Sequence, residues 1–376
     1  MKRKKPVISI FASIWGHKSL GLAAYEALSK SDYKIISNLI KPDTFSTQSS
    51  NIPYLLFPSF TIIPYQMAKS EHIRKIAEKY LLKTYFKKIE KLISIQQPDI
   101  VISTYFAFNF ALENLSKIYK FLLINIIANP RTIHKIEVSN NAYNFILDKK
   151  AEKTIRHFGI DKEHYKISGW FVRKEFQKNY DRTKIRKLLG LNPNYFTLCV
   201  IGGSEGTLTI LKILPAFLEL NQKVQVVFIC GKNKSLYKSL RLFQEIHKLS
   251  NGSNTTFIIR GYTENTHEYL QASDLVIGKA GPNLLFESVA THTPFLAISH
   301  IWGQEDGNLE IIKKYKLGFV EENPVKAINL TRKIIRNPKM LNWFQKPLEK
   351  LAEYNNNSYQ ILRDFVAEIL LVDGKQ

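Results

Sequence analysis

Ten short runs rich in β-branched and aromatic residues alternate with helical patterns along this chain, and no other feature narrows its fold as much. The runs of the first half are "VISIFAS", "YKIISNLI", "DIVIST", "FLLINIIA" and "YKISGW"; those of the second are "YFTLCVIGG", "KVQVVFICG", "TTFIIRG", "DLVIGK" and "PFLAIS". Such alternation is the signature of parallel sheets whose strands are joined by crossover helices. Between the two sets the pattern breaks. "FVRKEFQKNYDRTKIRKLLGLNPN" is charged, helical at best and closed by a Gly and a Pro, so it reads as a connection between domains. At 376 residues and 45% hydrophobic, the chain is large enough to form two domains. The expected organisation is α/β: a Rossmann-like domain over residues 1–170, a connection over 171–194, a second Rossmann-like domain over 195–345, and helices over 346–376 that pack back on the first domain. Two such units in series face a central cleft with their strand ends, where open α/β sheets bind ligands.

Charge is large and uneven. The 54 Lys and Arg against 32 Asp and Glu give +22; residues 1–180 carry 29 basic and 14 acidic (+15) and residues 181–376 carry 25 and 18 (+7). This excess suits phosphate-rich partners, whether nucleic acid or an anionic membrane face, and suits equally well a set of Lys-rich helix faces in water. The aromatics are not interleaved with the basic residues as in base-stacking platforms, and no nucleic-acid motif occurs, so no nucleic acid is expected as partner. Cys199 and Cys230 lie in apolar strand-like runs, make neither a metal set nor a disulfide framework, and fit reduced core residues of a cytosolic protein. "MKRKK" before "PVISIFASIW" has the basic start and apolar run of a secretory signal, yet no small-residue cleavage site follows and a buried first strand is expected. Nowhere are there the roughly 18 consecutive apolar residues of a spanning helix, so membrane contact is expected to be peripheral.

Each half opens with a turn suited to an anion. "LCVIGG" runs into "SEGTL" and then an expected helix, so that Gly202, Gly203 and Ser204 offer backbone amides at a helix N-terminus. Two adjacent glycines with a third at Gly206 match the dinucleotide fingerprint only loosely, and an ordinary strand-to-helix turn explains them too. In the first half the turn is "SIWGHKS", with Gly16 before His17. A histidine in a turn is usually a surface or capping group; at the carboxyl edge of a sheet it is a candidate general base. The stretch "GKAGPNLLFESVATHTPFLAISHIWGQEDGN", residues 278–308, brings two strand ends, small residues, a carboxylate at Glu287 and the pair Gln304 and Glu305 into an otherwise apolar region.

"IGGSEG", "ICGKNKSL", "RGYTENTHEYLQASDLVIGKAGP", "LLFESVATHTPFL" and "GQEDGN" together resemble, in order, the monogalactosyldiacylglycerol synthase and processive diacylglycerol glucosyltransferase family, and more distantly the peptidoglycan N-acetylglucosaminyl transferase. In the first half the resemblance rests on "GH" with its following helix, "PDIVIST" and "ISGWFVRKEF". It implies a double-Rossmann (GT-B) glycosyltransferase with a UDP-sugar in the C-terminal domain and a lipid acceptor, diacylglycerol-like, in the N-terminal domain. Such an enzyme would work without a cofactor, peripherally on the inner face of the cell membrane. By residue-for-residue match, Glu287 would accept hydrogen bonds from the ribose hydroxyls, and Ala280, Gly281, Pro282 and Asn283 would lie beside the pyrophosphate. Gly231 and Lys279 would belong to the same donor site, and Gln304 and Glu305 would grip the sugar hydroxyls.

The residue chemistry agrees with this. A carboxylate one turn into a helix can accept from both ribose hydroxyls while the helix N-terminus offers amides to the diphosphate. A solvated helix residue is the plain alternative for Glu287, opposed by its apolar neighbours Leu284, Leu285, Phe286 and Val289, among which an unpaired carboxylate is costly. Gln304 and Glu305 taken alone read equally as a helix start. No Asp-x-Asp occurs, so no metal is expected; the leaving-group charge would fall to the backbone of Gly202, Gly203 and Ser204, the helix dipoles and Lys279. In a direct displacement, inverting the anomeric carbon, His17 would take the acceptor proton.

Membrane docking has its own candidates. "NIPYLLFPSFTIIPYQ" carries Phe57, Phe60, Ile62 and Ile63 in an apolar, Pro-broken loop, and "SEHIRKIAEKYLLKTYFKKIEKLISI" follows as a basic amphipathic helix that covers the sheet while its outward face meets lipid. The chain departs from the family at Asn283 and Leu284, where Gly-Thr is usual, at Ile14 and Trp15 in place of a glycine run, and in "NIIANPRTIHKIEVSNN", which lacks an aspartate where the family strand ends in Thr-Asp. Readings from other classes are a nucleotide-sugar 2-epimerase of the same architecture and a noncatalytic membrane or nucleic-acid binding module.

Overall fold

The computed structural model describes residues 5–42, 66–67, 70–178, 180–203, 205–218, 220–249 and 254–372. Phe57, Phe60, Ile62, Ile63 and Ser204 lie outside the described residues. The chain forms two compact units, one of residues 1–174, 302–304 and 354–376, the other of residues 175–301 and 305–353.

The first unit holds β1 (Val7–Ala12), β2 (Lys34–Leu39), β3 (Ile100–Ser103), β4 (Leu122–Ile126), β5 (Tyr143–Ile146) and β6 (Tyr165–Ile167) in the spatial order β2-β1-β3-β4-β5-β6, all parallel. The second holds β7 (Phe196–Ile201), β8 (Val224–Ile229), β9 (Thr255–Arg260), β10 (Leu275–Lys279), β11 (Phe295–Ser299) and β12 (Gly318–Val320) in the order β12-β11-β10-β7-β8-β9, again parallel. Helices cover such sheets on both faces, which is why β1 and β8 are buried along their whole length and read as unbroken apolar runs. The α/β double-Rossmann class expected from the sequence is the observed fold.

Strand order fixes where chemistry can sit. In each sheet the first strand, β1 or β7, has neighbours to which the chain travels in opposite directions, so a crevice opens at the carboxyl ends of β1 and β3 and of β7 and β10. Both crevices receive residues singled out in the sequence.

Helix Glu71–Gln96 forms as expected. Leu81, Tyr85, Ile89 and Ile93, each four residues after the last, are buried with Phe11, Val101, Leu123 and Phe108, while Lys79, Lys83, Lys87 and Lys91 on the opposite side are exposed. Burying one large apolar side chain is worth roughly 1.5–3 kcal/mol, so the buried stripe holds the helix to the sheet, whereas the partly buried Arg74–Glu78 pair lies within the helix itself. The closing helix Gln345–Val372 is anchored in the first unit by its later turns: Asn355 accepts from the Trp170 amide at 2.9 Å, and the Tyr354 hydroxyl donates to the Leu147 carbonyl at 2.7 Å.

Three expectations of local structure are corrected. The segment after "SEGTL" is a 3₁₀ run, Leu208–Phe217, in place of a helix of α type; Pro215 inside it removes one backbone donor, and Thr207 caps its start. Strands β5 and β12 were not expected from the sequence.

Candidate active site

The glycine turn after β7 is built for close approach. At Gly206, with φ +70°, a Cβ would fall 2.0 Å from the Cys230 carbonyl oxygen, so only glycine lets this turn lie against the end of β8 beside Gly231. Asn233 secures the same junction: its amide donates to the Gly206 carbonyl at 2.7 Å and its Oδ1 accepts from the Leu236 amide at 2.9 Å. Gly202 and Gly203 thus stand at the switch point, with β10 as the strand on the other side.

Gly278 in β10 pairs with Ile201 in β7, and a Cβ there would meet the Ile201 carbonyl at 2.6 Å. Against β11 the register then steps by one residue between Gly278 and Lys279, with Ile298 as the extra residue on β11. The Lys279 ammonium pairs with Glu305 Oε1, and Glu305 Oε2 accepts from the Ile301 amide at 2.7 Å. Both side chains are largely buried, at 17% and 5% exposure, so each charge depends on the other. Gly281 lies beside the pair, and Asn308, fully buried, donates to the Ala280 carbonyl at 2.7 Å.

Helix Pro282–Ala290 begins at Gly281 with proline in its first turn and no side chain capping it, which leaves first-turn amides, those of Asn283 and Leu284, directed out of the helix start. Glu287, half-buried, sits on this helix between buried Phe286 and Ser288. Gln304 and Glu305 adjoin at the turn before helix Asp306–Lys314, the first exposed and the second buried.

In the first unit His17 is the second residue of helix Gly16–Leu28, not a turn residue. Its Nδ1 lies 2.6 Å from the Thr104 carbonyl oxygen, and the Thr104 hydroxyl donates to the His17 carbonyl at 2.9 Å, so the two residues clasp each other across the β1 and β3 ends. A carbonyl only accepts; Nδ1 must carry the hydrogen, and Nε2 keeps its lone pair. The ring packs on Tyr105 at 4.6 Å, and burial lowers the His17 pKa to about 4 against the opposing pull of the Thr104 bond. His17 is therefore a neutral imidazole at neutral pH. Trp15, two residues earlier, has φ +59°, a conformation that favours glycine and costs a bulky residue about 1–3 kcal/mol.

Sequence reasoning missed three groups. Glu137, in the segment after β4, accepts from the His134 amide at 2.7 Å, and burial raises its pKa to about 7. Asn308 anchors the turn at Ala280; its place in "GQEDGN" was the available signal. His300, immediately after β11, lies between two carboxylates, and no local pattern marks it. Among the described residues, no group of three or more His, Cys, Asp or Glu side chains is arranged to hold a metal ion, and no helix is long and apolar enough to cross a membrane.

Comparison with known proteins decides the family. The model of the monogalactosyldiacylglycerol (MGDG) synthase family matches residues 25–172, and that of the glycosyltransferase family 28 C-terminal domain matches residues 197–306. The chain is 25% identical, over an alignment of 388 residues, to a processive diacylglycerol beta-glucosyltransferase of Bacillus pumilus, covering 100% of this chain and 98% of the relative. The two halves of the chain carry the two domains of these glycosyltransferases.

Solved structures add the fold alone. MurG of Acinetobacter baumannii superposes with a TM-score of 0.61 at 11% identity, covering 97% of this chain and 100% of that one. A UDP-GlcNAc 2-epimerase of Neisseria meningitidis gives 0.62 at 13%, covering 96% and 100%. Transferase-type and epimerase folds thus match equally well, and it is the family models and the full-length relative that make this glycosyltransferase an enzyme of hexosyl transfer rather than an epimerase.

Proposed function

We propose that this glycosyltransferase moves a hexose from a UDP-sugar to a hydroxyl of a diacylglycerol-like lipid at an anionic membrane surface, by direct displacement with inversion and without a metal or other cofactor. The observation that carries the donor half is that one element, helix Pro282–Ala290, combines an uncapped N-terminus with Glu287 a turn and a half later. Its amides suit a diphosphate and its carboxylate suits the two ribose hydroxyls. The acceptor half is supported by the name of the full-length relative, a diacylglycerol glucosyltransferase.

In this mechanism Nε2 of His17 takes the proton of the acceptor hydroxyl as its oxygen attacks the anomeric carbon. The bond to the diphosphate oxygen breaks with its electron pair, and UDP leaves. Amides of Gly202, Gly203 and Ser204 and of Asn283 at the helix start oppose the charge that develops, while Ala280 and Gly281, whose own amides bond the Ser299 and Lys279 carbonyls, shape the turn beside it with Pro282, and Gly231 completes the glycine rim. Lys279, oriented by Glu305, adds a cation. Two of the roughly four lone-pair positions of Glu305 are engaged within the chain, so the carboxylate retains capacity for a sugar hydroxyl beside Gln304.

At the membrane, the lysine face of helix Glu71–Gln96 meets anionic headgroups while Phe57, Phe60, Ile62 and Ile63 enter the acyl boundary, placing the enzyme peripherally on the inner face of the cell membrane. The test is transfer of labelled hexose from UDP-glucose and UDP-galactose to diacylglycerol in anionic vesicles with excess EDTA. A hexosyl lipid of inverted anomeric configuration supports the reading. Release of free sugar alone, or loss of transfer in EDTA, contradicts it.

A further inference from the structure

His300 follows β11 directly and is only 7% exposed. Its Nδ1 is 2.7 Å from Glu322 Oε1 and its Nε2 is 3.0 Å from Asp306 Oδ1. A neutral imidazole has one N–H: it would satisfy one carboxylate and turn a lone pair on the other. Only the imidazolium donates to both.

We propose that His300 is a protonated clamp, a positioning residue that fixes the turn 301–305 and through it the Glu305–Lys279 pair of the donor site. The role rests on the donor reading given above. The geometry of the turn supplies the link. His300 and Asp306 bracket it and bond across its base, while inside it the Glu305 amide donates to the Ile301 carbonyl at 2.8 Å and the Ile301 amide returns a bond to Glu305 Oε2 at 2.7 Å. Glu322, just past β12, ties the other side of the ring to the edge of the sheet. A turn held in this way presents the Glu305 carboxylate to Lys279 in one place; with one of the two bonds gone, it is held from one side only.

The charged groups around the ring favour the cation. Asp306 comes from the start of helix Asp306–Lys314 and Glu322 from the segment after β12. From the 3₁₀ run, Lys212 donates to the carbonyls of Ile298 and Glu322 and is attracted by Glu322 and Glu321, and on the turn itself Glu305 is matched by Lys279. Among the described residues, the carboxylates of Glu322 and Asp306 bond the ring itself, while Lys212 bonds backbone carbonyls beside it. Desolvation opposes protonation of His300, and the hydrogen bonds and charges of Glu322 and then Asp306 outweigh it, so its pKa lies above the ordinary imidazole value. The proton is lost, and one bond with it, as pH rises through that raised value.

The experiment measures the ring and the site separately. Nitrogen-15 spectra of the full chain should show both His300 ring nitrogens protonated at neutral pH, with a titration above that of an exposed histidine; one unprotonated nitrogen at neutral pH overturns the clamp. Calorimetry with UDP should show wild-type affinity falling as His300 deprotonates. His300→Gln, which keeps the volume but offers a single neutral donor group, should bind UDP about tenfold more weakly at neutral pH and lose that pH dependence, as expected for one charge-assisted hydrogen bond. His300→Arg, cationic at every pH, should recover most of the affinity and hold it at alkaline pH. UDP affinity indifferent to pH and to His300→Gln overturns the positioning role alone. Absence of UDP binding by wild type overturns the donor reading and the role with it, while the spectra still decide whether the clamp exists.

Discussion

Nδ1 of His17 points at the carbonyl oxygen of Thr104 from 2.6 Å, and this single bond decides which nitrogen of the ring is free to accept a proton. If Nε2 is the base, His17→Ala lowers turnover by about 100-fold or more while UDP affinity stays unchanged. Steady-state kinetics and calorimetry check the two halves; a variant turning over at near wild-type rate returns His17 to a purely structural role. The sign of the pH effect follows from burial. With a folded pKa of about 4 below the ordinary 6.5, His17 contributes stability that is fully present above pH 6.5 and is lost as pH falls through about 4, and turnover should fall over the same acid limb.

Glu137 has the opposite sign. Its folded pKa of about 7 exceeds the ordinary 4.5, so the stability it contributes is full below pH 4.5 and lost as pH rises through about 7. Glu137→Gln keeps the volume and removes the titration. Denaturant unfolding of wild type and variant at pH 5 and pH 8 should show the stability gap between them shift toward the variant at the higher pH; a gap that does not move with pH contradicts a buried carboxylate there.

The Lys279–Glu305 pair is tested by comparing single and double substitutions. Removing one partner of a buried ion pair typically costs about 3–5 kcal/mol because the other charge is left unmatched, whereas replacing both by apolar groups is often neutral. Glu305→Leu should therefore unfold at lower denaturant than Lys279→Met/Glu305→Leu, and the double variant, though stable, should bind UDP weakly. Additive losses in the double variant would show that the pair does not couple.

The lysine face of helix Glu71–Gln96 makes a separate prediction about location. Substituting Glu for Lys79, Lys83 and Lys87 should reduce binding to anionic vesicles, each basic residue near such a surface being worth about 1 kcal/mol. Raised salt should weaken the wild type in the same direction, since attraction is screened over about 8–10 Å at moderate ionic strength. Co-sedimentation decides: equal binding to neutral and anionic vesicles contradicts the assignment.

Strands such as β1, β3 and β8 were legible because they are buried along their whole length and so read as near-continuous apolar runs, and the half-exposed β2 and β9 because β-branched residues still dominate them. β5 escaped because Asn144 interrupts its run; that side chain belongs to a buried network with Asn125, at 2.8 Å, and Ser139. β12 escaped because it is three half-buried residues at a sheet edge. Of the residues proposed for the donor, Gly202, Gly203, Gly231 and Lys279 were legible because they lie at or just past strand ends, and Glu287 as a carboxylate among apolar neighbours. Mutual contacts were not: Lys279 meets Glu305 26 residues away because β10 and β11 are neighbours and the turn after β11 folds Glu305 back, and His300 meets Glu322 22 residues away because β12 returns the chain beside β11.

Glu287 gives access to the central claim, that this enzyme builds a glycolipid from a UDP-sugar. Mass spectrometry of lipid extracts from cells expressing the wild-type chain or Glu287→Ala measures it most directly. The account predicts a new hexosyl diacylglycerol with the wild type and its loss with Glu287→Ala, whose UDP affinity falls by about 1.5–3 kcal/mol, the range for hydrogen bonds to a charged group, in a protein that remains folded. Extracts with no new hexosyl lipid from a folded, UDP-binding wild type, or an undiminished product from Glu287→Ala, would contradict it.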